Sequence, residues 1–208
     1  WSAAERKGYS GTVTYVKEKP SDIKYGCGVK KFDSEGRFVV TDHGDFLLYN
    51  VYFPNGSSGE ERHQYKQDFL ERFRKHLAKD IKAGREVIVV GDYNVAYMDI
   101  DVFDPVRLSK VSGFLPDERK WFQNFLETGF IDTFRLFHDE GGHFTWWDYR
   151  MLAFPKNNGL RIDHILATPA LADTCSACVI DRNERKGNAE NRPSDHAPVI
   201  AGFDLKKR

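Results

Sequence analysis

The stretch Val87–Asp101, VIVVGDYNVAYMDID, decides how the chain is to be read. Its four consecutive β-branched residues offer apolar side chains to both faces of an extended strand, the pattern of a strand covered on two sides. Gly91 interrupts the run, and Asp92 and Asn94 follow two positions apart, so in extended chain they project to one side. A strand buried on both faces carries polar groups safely only where it leaves the core, and Gly91 gives the backbone freedom to turn there. A carboxylate aimed beside a carboxamide can handle a water molecule and an oxyanion, the acid as base and the amide as donor. Taken alone, Gly-Asp-x-Asn is equally an Asx turn that ends a strand.

Outward from this stretch, the chain alternates strands with two long helices. GTVTYVK (Gly11–Lys17) has the alternation of a half-exposed strand, and RFVVTDH and DFLLYNVYFP read as strands as well. Tyr65, Phe69, Phe73, Leu77 and Ile81 recur every four residues, which predicts a helix opened by a Ser58/Glu61 capping box and closed at Gly84. A second helix is predicted from Pro116, with Trp121, Phe122, Phe125 and Leu126 facing inward. HFTWW, RIDHILAT, SACVID and HAPVIAGFDL complete a strand-rich C-terminal half. The expected class is α/β, with helices packed on sheet in a single domain over 1–208.

The bulk numbers agree with one soluble domain of 208 residues and 24.0 kDa. Lysine plus arginine equals aspartate plus glutamate, at 31 each, so any basic surface for a nucleic acid must be local. No apolar run approaches the roughly 20 residues of a membrane span, so no membrane partner is expected. Three cysteines are too few for a disulfide scaffold, and an odd count suits a reducing compartment. Cys175 and Cys178 form a Cys-x-x-Cys without a second pair. Their place in SACVID reads as small apolar residues of a strand rather than a redox or zinc motif.

Further acids strengthen the functional reading of Asp92 and Asn94. GLRIDHIL places Asp163 inside an otherwise apolar strand, where a lone carboxylate is costly unless it is paired. RPSDHAPVI places Asp195 and His196 at the mouth of another strand. An imidazole held by Asp163 would be fixed in orientation and biased toward its protonated form, which suits a phosphate oxygen. Neighbouring strand residues point to opposite sides, so Asp195 and His196 share a site only across a bend, which Pro193–Ser194 can supply.

In order along the chain, KGYSG, YNVYFPNG, GDYN, SGFLPDER, FTWWDYR, GLRIDHILA and PSDHAP resemble the exonuclease III type of AP endonuclease, within the endonuclease/exonuclease/phosphatase superfamily. The resemblance runs from the first residues to the last. It implies a deoxyribonuclease I-like layered sandwich of two packed mixed sheets flanked by helices, incomplete at the N-terminus. It implies hydrolysis of the phosphodiester 5′ to abasic sites in duplex DNA, with 3′-phosphodiesterase and 3′-to-5′ exonuclease activity as further family activities. On this scheme Asp92 orients or deprotonates water, Asn94 helps hold the phosphate and water, and Tyr52 and Asn55 contact the scissile phosphate. Asp163 supports His196, which donates to a non-bridging oxygen, and Asp195 lies beside a metal or its waters. Oxygen ligands favour Mg2+ or Mn2+. Trp146, Leu160 and Ile162 match the wall of a pocket for a flipped-out, baseless sugar, although these are also ordinary core residues. Leu160 stands where some relatives carry a second aromatic. Tyr9 matches a minor-groove residue, with Lys7, Arg107 and Lys110 as candidate phosphate contacts. A solvated tip is an equal reading of Tyr9 and Lys7, and solvated loop side chains are the plainer reading of Arg107 and Lys110.

The same resemblance exposes a gap. The family's N-terminal segment, with the Gln-Glu pair that carries its principal metal ligand, is not in this sequence, and Asp99, Asp101 and Glu118 do not stand in a matching context. The 208 residues are accordingly expected to be part of a longer enzyme; taken alone, they are expected to bind metal weakly and to show little or no turnover. Rival readings are a superfamily phosphodiesterase with another substrate, such as a phosphoinositide or sphingomyelin, and a catalytically impaired fragment that binds DNA. The expected partner is double-stranded DNA with abasic sites or blocked 3′ ends, met by a monomer in the bacterial cytoplasm at the nucleoid or in a eukaryotic nucleus.

Overall fold

In the computed structural model, residues 1–186 and 194–205 are described. The strands are β1 (Asp22–Tyr25), β2 (Phe38–Asp42), β3 (Leu47–Val51), β4 (Val87–Asp92), β5 (Ile131–Asp132), β6 (Asp163–Ala167), β7 (Cys175–Ile180) and β8 (Val199–Phe203). Six of them form one mixed sheet in the order β1-β2-β3-β4-β6-β5, in which only β3 and β4 run parallel. The parallel pair needs a crossover, which the long helix α2 (Glu60–Lys82) supplies after the short α1 (Lys30–Asp33). A four-residue helix α3 (Pro105–Leu108) and the longer α4 (Pro116–Leu126) follow.

The side-chain period of two sorts the sheet's residues between two cores. Phe38, Val40, Tyr49, Val51, Val87, Val89 and Leu166 meet Phe69, Phe73 and Leu77 of α2 and Trp121, Phe122 and Phe125 of α4. On the opposite face, Ile88, Ile165 and Ala167 pack with Leu48 and Val90 against Val199, Ala201 and Phe203 of β8. Val87–Val90 is therefore covered on both sides, as its composition requires. The second layer is narrower than the expected mixed sheet: β7 and β8 form a two-stranded antiparallel ribbon. Cys175 and Cys178 lie in β7 as free thiols, Cys178 buried, which agrees with a strand rather than a redox motif.

Several local expectations need correction. Helix α2 is capped by Gly59 without a side-chain hydrogen bond, and Ser58 and Glu61 form no capping box. Its first turn closes from the His63 N–H to the Gly59 carbonyl, which places Glu61 one position too early to reach back. At the other end Gly84, at φ 73°, accepts the left-handed position, and the Arg85 N–H bonds the Asp80 carbonyl in a Schellman closure. Gly11–Lys17 is not a strand: Thr12 alone pairs, with Ser2, and the Asn50 amide holds Val13 and Thr14 instead. HFTWW likewise forms only isolated bridges, from Trp146 to Leu160 and to His196. Two strands escaped the pattern, since β1 is exposed throughout and β5 has two residues.

Gly91 is fixed by its surroundings as well as by its backbone. Its φ is 135°, and a Cβ there would stand 2.0 Å from the Val51 carbonyl oxygen of the adjacent strand. Gly91→Ala is expected to destabilise the fold by at least about 2 kcal/mol, combining backbone strain with overpacking. Urea unfolding measures it; a cost within error of zero would show that β3 and β4 can separate there freely.

Candidate active site

The register of β4 on β6 sets Asp92 directly opposite Asp163, at the ends of both strands. Asp163 takes a 2.8 Å hydrogen bond from His196 Nδ1, and its own N–H, with that of Ile162, donates to the Thr145 hydroxyl at 3.0 Å. The chain bends at Asp195, so Asp195 and His196 share a site as required; Pro193 lies outside the described residues. Asp195 accepts a 2.8 Å bond from the Trp146 indole. The Trp146 main chain is also bridged to both Leu160 and His196, which sets the three residues side by side.

Asn94 sits in the left-handed region at φ 51° and is buried. Its main-chain N–H bonds Asp92 Oδ1 at 2.8 Å, and its side-chain amide donates to Asp92 Oδ2 at 3.0 Å and to the Phe53 carbonyl at 2.9 Å. Its Oδ1 accepts from the Asn55 amide at 2.9 Å. Both amide hydrogens and the acceptor are thus engaged, and in this arrangement Asn94 orients Asp92 and Asn55 rather than presenting a free donor. Tyr52, Asn55 and His196 line the cleft together with Asp92 and Asp195.

Electrostatics follows from this crowding. Burial and the Asp163 charge push Asp92 up to about 7, against the pull of His196 and the Asn94 N–H. Burial opposes charging of His196, but the hydrogen bond and charge of Asp163, with Asp92 and Asp195, outweigh it and raise the imidazole to about 9. The Tyr52 hydroxyl is raised by burial and by the Asp92 charge, so it stays a protonated donor; the Arg37 guanidinium lies 4.8 Å from its ring.

These side chains border one cleft of about 940 Å³. Tyr52, Asn55, Asp92, Asn94, Trp146, Leu160, Ile162, Asp195, His196 and Arg107 line it together. Asp163 stands behind His196. Leu160 and Ile162 belong to a small core with Val102 and Phe114, with Trp146 against it, so the wall is both packed and cleft-facing. Lys7 and Lys110 are exposed and do not border the cleft. Tyr9 does not border it, and the Arg37 guanidinium lies 5.8 Å from its ring.

Sequence reasoning missed the buried support. Lys66 of α2, fully buried, donates to the Asn94 carbonyl at 2.8 Å and is paired with Glu118. Glu118 in turn accepts the N–H groups of Gly113 at 2.6 Å and Leu115 at 3.0 Å, anchoring the loop before α4. A lysine on the apolar stripe of a helix was the available signal. His196 is already committed through Nδ1 to Asp163, and the other acidic and amide side chains of the cleft offer oxygen ligands. With the carboxylates of Asp92 and Asp195 on its lining, that set fits a hard divalent cation at Asp195 better than a thiol- or imidazole-seeking one.

The family model of the endonuclease/exonuclease/phosphatase family matches residues 1–196. The chain belongs to that family. It is 35% identical over 200 residues to an exodeoxyribonuclease of Bacillus subtilis, covering 96% of this chain and 76% of that protein. It is 37% identical to a DNA repair nuclease of Danio rerio, again across 96% of this chain but 62% of the relative. An AP endonuclease from Archaeoglobus fulgidus superposes with a TM-score of 0.83 at 35% identity, covering 90% of this chain and 72% of the other. A 3′ phosphatase from Neisseria, bound to product DNA hairpin, gives a TM-score of 0.83 at 34% identity over 89% of this chain and 72% of its own. Within the endonuclease/exonuclease/phosphatase family, the chain is of the AP endonuclease/exonuclease III type, a phosphodiesterase lineage.

Two measurements test the site's construction. Asp163→Asn should bring the His196 titration in metal-free protein down from about 9 toward its ordinary range, followed by NMR of the ring protons; an unmoved midpoint would exclude Asp163 as its holder. Lys66→Met should cost about 3–5 kcal/mol by leaving Glu118 buried and unpaired, with part regained in Lys66→Met/Glu118→Gln under urea unfolding.

Proposed function

We propose that this chain carries the phosphate-cutting site of a DNA-repair endonuclease that hydrolyses the phosphodiester 5′ to abasic sites in duplex DNA. The observation that carries the reading is the convergence of Asp92, His196 and the Trp146–Leu160–Ile162 wall on one cleft. An acid that titrates near neutrality is suited to take a proton from an attacking water, and the Asn94 bonds fix the direction of its oxygens. His196, protonated across the neutral range and oriented by Asp163, donates from Nε2 to a non-bridging phosphoryl oxygen. Tyr52 and Asn55 add neutral donors on the same side, so charge developing on the phosphate meets preorganised partners. A divalent cation such as Mg2+ or Mn2+, held at Asp195, would supply charge neutralisation at the phosphoryl oxygens.

The apolar wall supports selection of a sugar that lacks its base: Trp146, Leu160 and Ile162 offer contact area without hydrogen-bond partners for a nucleobase edge. Action at blocked 3′ ends is the second reading, favoured by the structural likeness to the Neisseria 3′ phosphatase bound to product DNA hairpin. In either case the DNA is met by local groups, since the chain's net charge is +0. No helix among the described residues is long and apolar enough to cross a membrane.

A duplex with one abasic analogue, incubated with magnesium or with chelator, tests the proposal. Asp92→Asn should lower cleavage by about 10²–10⁴-fold, with DNA affinity nearly unchanged in a gel-shift assay. Cleavage at near-parental rates in that variant would remove Asp92 from the mechanism. Cutting at undamaged positions as readily as at the analogue would remove the abasic specificity.

A further inference from the structure

Away from the cleft, the segment after β5 gathers a second group of metal-competent side chains. His138, Glu140 and His143 each offer a ligand atom, and these atoms lie within 4.8 Å of one another. The Glu140 carboxylate is 2.6 Å from His143 Nε2 and 3.7 Å from His138 Nδ1. Ligand atoms bound tetrahedrally at about 2.0–2.1 Å from a zinc ion stand roughly 3.3 Å apart. The two distances from Glu140 bracket that spacing, so a small rotation of the exposed Glu140 side chain between the two half-buried imidazoles evens them.

The arrangement is also held in place from outside. The far nitrogen of His138, Nε2, lies 3.0 Å from the Cys178 carbonyl of β7. Donating its N–H there leaves the Nδ1 lone pair directed at Glu140, which is how an outer hydrogen bond fixes the tautomer of a metal-binding histidine. The His138 ring stacks on buried Phe134 at 4.4 Å, and the His143 ring meets the same phenyl edge-on at 5.6 Å. Arg135, paired with buried Asp101, donates to the carbonyls of His138 at 3.0 Å and Glu140 at 2.8 Å. A surface ion pair between His143 and Glu140 would require none of this for His138.

We propose that His138, Glu140 and His143 form a binding site for a divalent transition metal of the zinc class, separate from the cleft. Two imidazoles and one carboxylate are borderline ligands, which separates this site from the oxygen-lined cleft and its preference for hard cations. Binding replaces the 2.6 Å contact between His143 and Glu140 by bonds from both groups to the ion. Because the chain continues from His143 through Thr145 and Trp146 into the cleft, a bound ion would pin the segment that delivers them.

Metal-free protein titrated with zinc chloride in excess magnesium, followed by calorimetry, tests this. One zinc per chain is expected, with a raised Tm, and cobalt in its place should give the visible absorption of a four-coordinate site. His138→Gln/His143→Ala, checked for native circular dichroism, should weaken zinc binding beyond the 10–100-fold that an outer-ligand change brings, while Glu140→Gln weakens it less. Zinc uptake equally tight in the double variant, as thiol binding at Cys175 would give, overturns the proposal. So does an unaltered chain that takes up no zinc.

Discussion

Two carboxylates facing each other across β4 and β6 are the constraint around which the molecule is arranged. Asp92 and Asp163 occupy paired positions at strand ends, where like charges repel and burial resists ionisation. The fold relieves this in two different ways. Asp163 receives an imidazole that carries the opposite charge, and Asp92 receives the two donors of Asn94 while keeping an elevated proton affinity. The two paired acids thereby sit in different surroundings, Asp163 against a charged imidazole and Asp92 against two N–H donors. The Gly91 backbone, pressed against Val51, lets the chain turn at the position that makes Asn94 reach back.

Behind the cleft stands a tier that bears on function only through position. Lys66 and Glu118 are buried charges linking α2 to the loop before α4, and they hold the Asn94 carbonyl and the N–H groups of Gly113 and Leu115. Such a pair is weak evidence for stability, because desolvation offsets much of its attraction. Its clearer effect is geometric: two elements distant in sequence are registered against the residue that steers Asp92.

Much of this was legible in the sequence, for identifiable reasons. Val87–Val90 announced a strand covered on both faces, and the four-residue recurrence of Phe69, Phe73 and Leu77 announced the helix that covers one of them. Asp163 stood out because an acid in an apolar strand demands a partner. What the sequence hid depends on tertiary pairing. The alternation in Gly11–Lys17 found no neighbouring strand among the described residues, and HFTWW pairs only through the isolated bridges of Trp146. Lys66 looked like one polar residue on a helix, and only the folded chain places Glu118 against it. The double engagement of the Asn94 amide likewise cannot be read from Gly-Asp-x-Asn.

The antiparallel pairing of β4 with β6 has a consequence for how the molecule comes to exist. Residues adjacent at that ladder are separated along the chain by both later helices and the Trp146 segment, so loop-closure entropy opposes their meeting until most of the polymer is organised. The βαβ unit of β3, α2 and β4 can assemble from nearer contacts first. A half-folded chain would then hold Asp92 without its opposite number, and hydrolytic competence would arrive among the last events of folding.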